Sequence, residues 1–436
     1  MSDRSFVRYT QKFATVSKII RTWGSKSAMS ILDQGMLSII NFAINIHLSR
    51  ILVPGQYGIF AIVFSVYLLL LNFNQALILE PLNIVGMTRY KDNLISYFKK
   101  ITWIQFSMSI ILSLLLLLFA FYFSYVGNQI YRPLISMALA GPFVCTFFLT
   151  RRFCYLLYNP SISLVGSVIY AITLSLGYYL LLINDAVDSF NIFLLFGGAS
   201  IVSSVLIIAV LNFRYPSLKS LVNTKMVLYK HWNLGKWVLG STVIGWLSTS
   251  VYFPLTGALI GLEASASLKA IDNLLLPMHQ IITSISLLII PKIAGKQNKN
   301  AAYLRAIFKR LTLVFTTFAV IYLALLQILG KDLVKFLYGT ESGYVNYLWL
   351  TPFVGIPLLA RTIVDIGMGV PLRIVEKFDV LFKSSAANSL FTVSLGLIFV
   401  WKYALPGAGL ALAIGSVVQI CIAGFYFRKV FSNKQS

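Results

Sequence analysis

The sequence of 436 residues is poor in charge, and poorest in acidic side chains. Asp and Glu together number 13, charged residues make up 11% of the chain, and hydrophobic residues make up 58%, so the mean hydropathy reaches +0.82. A soluble domain carries about 25% charged residues. The composition therefore excludes a soluble enzyme and indicates a membrane protein whose function lies within the bilayer.

Groups that carry catalysis or hold metals are also scarce. The three cysteines, Cys145, Cys154 and Cys421, form neither a disulfide framework nor a C-x-x-C pair. His47 and His279 stand alone in apolar runs, so we expect no metal site. P-loop, G-x-S-x-G, H-E-x-x-H and D-x-D motifs are absent. We expect no enzyme and no cofactor, and any driving force must come from a proton or cation gradient, the membrane potential or removal of product.

Long apolar runs are what the sequence has in abundance. A span needs about 20 apolar residues to cross about 30 Å of hydrocarbon, and twelve runs meet this length, which predicts an all-α polytopic membrane protein. The runs cover residues 27–50, 57–82, 100–125, 131–150, 161–184, 190–212, 237–261, 264–291, 311–330, 345–368, 382–401 and 406–427.

The basic residues follow alternate loops between these runs. Of the 36 Lys and Arg residues, 29 lie in segments on the same side of the membrane as the N-terminus. The opposite side has five, which are Arg50, Arg132, Lys331, Lys335 and Lys402. Because basic loops stay in the cytoplasm, we expect both termini to be cytoplasmic. The same pattern excludes nucleic acid as the partner of the net charge of +23.

The spans divide into two halves of six. We expect a basic N-terminal segment (1–26), a first six-helix bundle (27–212), a basic linker (213–236), a second bundle (237–427) and a tail (428–436). The first segment is either an interfacial helix or a tail that fixes topology. Since six is even, the halves form a parallel repeat, and two such bundles around a central cleft predict a transporter that exposes one site to each side in turn.

Charges inside spans are candidates for function because they are expensive to insert. Lys269 and Asp272 are three residues apart, and Arg361 and Asp365 are four apart, so each pair either neutralises itself or presents one cation to the cleft. Arg361 is favoured over Lys269 as a substrate-binding residue because a guanidinium binds phosphate oxygens in bidentate geometry, whereas Lys269 could snorkel to the interface.

Other polar residues near or within spans are weaker candidates. Asp33 and Glu80 lie near the cytoplasmic ends of their spans, and either could carry a coupling proton or remain a solvated or capping residue. With Asp272 and Asp365 they are the coupling or gating candidates. Three amides of the second span could bind sugar hydroxyls or join helices; they are Asn72, Asn74 and Gln75.

Three segments carry a resemblance to a known family. LSRILVPGQYG (48–58) resembles the first external turn of polysaccharide and O-antigen flippases, in the superfamily that also contains multidrug exporters and the lipid II flippase. GLEA (261–264) is similar to the turn that opens their second half, and PGAGLALA (406–413) to their last helix. Ser265 and Ser267 depart from the family's usual Gly and Tyr, respectively.

The resemblance implies a function and a location. The cargo would be an oligosaccharide on an undecaprenyl-type diphosphate lipid, moved across the bacterial inner membrane among membrane lipids. A polysaccharide polymerase and glycosyltransferases would be partners. Three alternatives stay open: a cation-coupled multidrug exporter of the same fold, a membrane glycosyltransferase or polymerase, and a non-transporting scaffold. The short external loops argue against the enzyme, because such enzymes commonly use a large external loop.

Overall fold

The chain folds as two bundles of helices. The computed structural model describes residues 28–211, 223–294, 301–374 and 377–432, and this part contains no strand. The helices are α1 (Ala28–Ile51), α2 (Pro54–Arg89), α3 (Leu94–Tyr125), α4 (Tyr131–Leu156), α5 (Pro160–Ile183), α6 (Ser189–Val210), α7 (Thr224–Ser248, continued by Tyr252–Leu259), α8 (Leu262–Ala294), α9 (Ala301–Tyr338), α10 (Gly343–Leu372), α11 (378–403) and α12 (405–432).

These helices confirm the predicted all-α architecture. Within the described residues, ten helical stretches are long and apolar enough to cross a membrane. The longest stretch is two helices, because Ala404 has φ 52° and ψ −134° and breaks it between α11 and α12. The remaining helix, α8, falls outside that criterion and carries Glu263, Lys269 and Asp272 near its start. The predicted N-terminal segment, residues 1–26, lies outside the described residues.

The helix α7 begins earlier than the seventh apolar run. Asn223 caps its first turn by accepting a hydrogen bond from the backbone N–H of Met226 at 3.3 Å, so the end of the segment predicted as a linker is helical. His231 attaches this extension to the first bundle. Its Nδ1 donates to the carbonyl oxygen of Leu77 at 2.9 Å, and its Nε2 accepts from the hydroxyl of Tyr97 at 2.6 Å.

A proline explains why the carbonyl of Leu77 needs this donor. Pro81 follows Leu77 by four residues and has no N–H, so the usual helical hydrogen bond to that carbonyl cannot form. The backbone of α2 widens into a π-helix at Gln75–Leu79, which ends two residues before this proline. Pro81 thus leaves the carbonyl oxygen of Leu77 able to accept the hydrogen bond from His231, and this bond holds α7 against α2.

The two bundles contact each other on the side where the first two helices of each bundle are joined by a tight turn. We call this side the turn face; it holds the α1–α2 turn at Leu52 and the α7–α8 turn at Gly261, and the opposite side, where α1 begins and α2 ends, is the linker face. Gly58 of α2 packs so tightly on α8 that a Cβ there would lie 1.9 Å from the carbonyl oxygen of Leu262. Asn273 Nδ2 donates to the hydroxyl of Tyr57 at 2.8 Å. The turn face is closed.

Candidate functional site

A cavity of about 760 Å³ lies between the bundles, lined by residues of α1, α2, α4, α7, α8, α10 and α12. It extends along α1 from Gln34 to Asn45, and eleven residues of helix rise correspond to about 16 Å. Tyr57, Gly58 and Leu262 of the closed turn face are not among its lining residues. The volume is within the usual range for ligand sites.

One wall of the cavity is a polar stripe along α1. Gln34, Ser38, Asn41 and Asn45 all line the cavity, and their spacing of four, three and four residues keeps them on one face of α1. Asn45 donates to the carbonyl of Asn41 at 2.9 Å, and its own Oδ1 is buried without a hydrogen-bond partner in the described structure. The stripe supplies amide donors and acceptors to whatever occupies the cavity.

Arg361 is the more accessible of the two lining cations. Its side chain is 41% exposed, and its Nε lies 3.7 Å from Asp365 Oδ2, a distant pairing. Its Nη1 lies 3.0 Å from His279 Nδ1. Because a guanidinium only donates, Nδ1 accepts and the ring hydrogen is on Nε2. His279, to which the sequence assigned no role, therefore orients Arg361 at the cavity wall.

Lys269 lines the same cavity but is enclosed. Its side chain is 3% exposed, and its Nζ lies 3.4 Å from Asp272 Oδ2. The ammonium lies 5.4 Å from the ring centroid of Phe64 on α2 and 5.2 Å from that of Phe253 on α7, both within the range of cation–π attraction. Lys269 therefore packs between rings of the two bundles and does not extend toward the membrane surface.

The three amides of α2 are not brought to the cavity. Asn72, Asn74 and Gln75 are all absent from its lining. Asn74 is buried and donates to the carbonyl of Cys145 on α4 at 3.3 Å, which joins two helices of one bundle. Gln75 donates to Glu80 Oε1 at 2.6 Å across the π-helix.

The two acids at the linker face have different surroundings. Asp33 is fully buried between α1, α4 and α5, where it accepts from Arg151 at 2.8 Å and from Ser163 at 2.8 Å, and also from Tyr155 and Ser167. Glu80 is 43% exposed, 3.8 Å from Arg152. Neither acid is among the residues that line the cavity.

Arg151 is a residue whose position the apolar runs predicted incorrectly. The fourth run ended at residue 150, which assigned Arg151 to a cytoplasmic loop, whereas α4 continues to Leu156 and Arg151 is 4% exposed. The ion pair with Asp33 makes this burial tolerable. An unpaired acid in the first span was the one sequence signal that a buried cation had to be nearby.

Comparison with known proteins gives a family and a fold. A family model described as polysaccharide biosynthesis protein matches residues 47–342. No curated protein matches the chain.

Solved structures resemble the whole chain. An inward-facing multidrug resistance transporter of the MATE family and MOP superfamily aligns with a TM-score of 0.75 at 10% identity, over 93% of this chain and 99% of that one. The lipid II flippase MurJ, in an inward closed conformation, aligns with a TM-score of 0.68 at 16% identity, over 94% of this chain and 90% of that one. A MOP superfamily transporter from Pyrococcus furiosus, described as having a binding pocket of reversed polarity, gives 0.68 at 10% identity, over 94% and 95% of the two chains. At these identities the likeness establishes the fold alone, which this chain shares with these three proteins.

Proposed function

We propose that this chain, which belongs to the polysaccharide biosynthesis protein family, is a flippase that moves a diphosphate-linked, lipid-anchored oligosaccharide across the inner membrane of a bacterium. The observation that carries this proposal is Arg361, which lies 41% exposed on the wall of a cavity between two bundles. The similarity of the fold to the lipid II flippase MurJ supports the same class of cargo.

The chemistry of the cavity fits the two polar parts of such a cargo. A guanidinium matches the oxygens of a diphosphate in bidentate geometry, and Arg361 reaches the cavity beside His279. The amides of Asn41 and Asn45 offer hydrogen bonds to sugar hydroxyls. The lipid tail needs no protein cavity, since it remains in hydrocarbon while the headgroup crosses.

The charge of the cavity also favours this function over the nearest alternative. A cation-coupled exporter of amphipathic drugs needs acidic walls to bind cationic compounds, whereas the described lining has two basic residues, Lys269 and Arg361, and one acid, Asp272. The membrane glycosyltransferase is disfavoured because the turn face offers only short connections, the longest being residues 126–130 and 184–188.

Alternating exposure of the cavity is the proposed mechanism. By the distribution of basic residues the linker face is cytoplasmic, so the closed turn face leaves the cavity on the cytoplasmic side. The helix that carries Arg361 is irregular: a 3₁₀ segment at Gly343–Leu350, an α-helix at Thr351–Arg361 with Pro357 inside it, and a π-helix at Thr362–Met368. Such segments often mark hinges, and we infer that α10 bends as the bundles rock.

The acids beside the cations are the proposed coupling groups. Asp365 lies 3.7 Å from Arg361 and Asp272 lies 3.4 Å from Lys269. Protonation of either acid would remove a competitor for its cation and strengthen the hold on a diphosphate, so a proton gradient could drive binding or release. Asp33 is saturated by four donors, and we infer a structural role for it.

A deletion strain tests the function. We expect the undecaprenyl-linked oligosaccharide to accumulate on the cytoplasmic leaflet, and wild-type protein to relieve this accumulation. Arg361→Ala should fail to relieve it. Arg132→Ala is the matched control, because Arg132 lies over the ring of Phe190 and outside the cavity lining. If no lipid-linked oligosaccharide accumulates, the assignment is wrong.

A further inference from the structure

A second cavity, of about 600 Å³, lies on the turn face and is separate from the first. Three parts of the chain form it. The α1–α2 turn contributes Ser49 and Arg50, the start of α8 contributes Glu263 and Ser267, and the α9–α10 connection contributes residues from Tyr338 to Tyr347. Two of these parts belong to the second bundle and one to the first, so the cavity lies on the seam between the bundles.

The floor and the rim of this cavity differ in chemistry. Tyr338 and Tyr344 are 3% and 6% exposed, lie edge to face with centroids 5.4 Å apart, and form the aromatic part of the lining at the floor. The hydroxyl of Tyr344 is buried and has no hydrogen-bond partner in the described structure. The rim carries exposed donors and acceptors: Arg50 donates, Glu263 and Glu341 accept, and the amide of Asn346 does both.

We propose that this cavity binds a saccharide on the outer side of the membrane. A pyranose ring has apolar C–H faces and an equator of hydroxyls, which matches aromatic rings below and carboxylate, guanidinium and amide groups around them. Two carboxylates against one guanidinium disfavour a phosphate, and a charged rim disfavours an apolar drug. The choice of a saccharide as ligand, and of the outer side, rests on the proposed function. The existence of the cavity is independent of that function.

The position of the cavity on the seam gives binding a conformational consequence. Arg50 moves with the first bundle, and Glu263 and Glu341 move with the second, so the site is complete only while the turn face is closed. A ligand that binds one state of a two-state protein shifts the population toward that state. Bound saccharide therefore stabilises the closed turn face and opposes return of the cargo that has just been released.

The test is a binding measurement on the full-length protein in detergent. The probe is the oligosaccharide released by mild acid from the lipid-linked intermediates of the host strain, titrated by calorimetry. We expect saturable binding that weakens at least tenfold in Glu341→Gln and in Asn346→Ala. Lys335→Ala, on the same side but outside the cavity lining, should bind like the wild type.

Two results would overturn the proposal. Absence of saturable binding would show that the cavity is not a saccharide site. Full binding in both rim variants, with loss in Arg361→Ala, would assign the sugar to the central cavity alone. Tyr344→Phe provides a milder variant that removes only the buried hydroxyl, and we expect it to fold normally and bind less tightly. Since the deletion strain reports on transport without reference to this cavity, failure here and failure of the proposed function are distinguishable.

Discussion

Gly58 provides the sharpest test of how the two bundles close. Gly58→Ala would add a Cβ 1.9 Å from the carbonyl oxygen of Leu262, where ordinary contacts begin at 3.4 Å. The helices α2 and α8 would have to separate by about 1.5 Å, the difference between these two distances. Since the obstructing atoms are backbone, no side-chain rotation can relieve the clash.

The expected effect is a shift in conformation. Overpacking of this kind costs about 1–3 kcal/mol, which corresponds to a shift of about 5- to 150-fold between two states. Because the contact exists only when the turn face is closed, the cost falls on that state alone. Gly58→Ala should therefore populate the state in which the turn face is open.

Distance measurements between spin labels would detect this shift. Cysteines at Val53 and Ile260, both exposed on the turn face, would carry the labels in a Cys421→Ser background. Gly55→Ala is the matched control, because a Cβ there meets nothing within 4 Å. We expect the distance between the labels to be longer in Gly58→Ala than in the otherwise unchanged protein. In Gly55→Ala we expect no such increase. Identical distributions in the two variants would refute the account of turn-face closure.

Three further predictions concern separate parts of the molecule. Asp33→Asn leaves Arg151 buried without its counter-charge and should lower the free energy of unfolding by about 3–5 kcal/mol. The control Asp379→Asn, which breaks an exposed pair, should lower it by less than about 1 kcal/mol. Thermal unfolding in detergent measures both effects, and equal effects would contradict the prediction. Burial lowers the pKa of His231 from 6.5, so the folded protein binds fewer protons than the unfolded chain and its stability should fall as the pH drops below about 6.5. Between pH 8 and pH 5 the melting temperature should therefore fall less steeply in His231→Phe than in the wild type. An unchanged slope would contradict this role of His231. Arg361→Lys keeps the charge but loses the planar fork, so its transport rate should lie between those of Arg361→Ala and the wild type; a rate no higher than that of the alanine variant would mean that charge contributes nothing.

The sequence predicts the helices well because hydropathy is a local property. All twelve runs correspond to helices, and the second glycine in LSRILVPGQYG, Gly58, meets Leu262 at the α7–α8 turn. Local pattern also contained the polar stripe of α1, since Gln34, Ser38, Asn41 and Asn45 follow helical spacing. That signal was available from periodicity but is visible as a site only once the facing helices are known.

Long-range pairing and irregular backbone limited the prediction of the site. Arg151 and Asp33 are 118 residues apart, so hydropathy alone ended the fourth span one residue too early to include the arginine. On α2, the π-helix at Gln75–Leu79 adds residues to one turn and changes which face the following side chains occupy. Regular spacing therefore could not predict that Glu80, the first residue after the π-helix, lies near Arg152 and outside the cavity lining.

Reconstitution tests the central claim most directly. Purified protein in vesicles, supplied with an undecaprenyl diphosphate oligosaccharide on one leaflet, should move the saccharide to the other leaflet, where a membrane-impermeant lectin or glycosidase can reach it. We expect the wild type and Arg132→Ala to accelerate this movement and Arg361→Ala to lose most of it. If wild-type vesicles move the lipid no faster than empty vesicles while the protein remains folded, or if Arg361→Ala matches the wild type, the cavity is not the path of a lipid-linked saccharide.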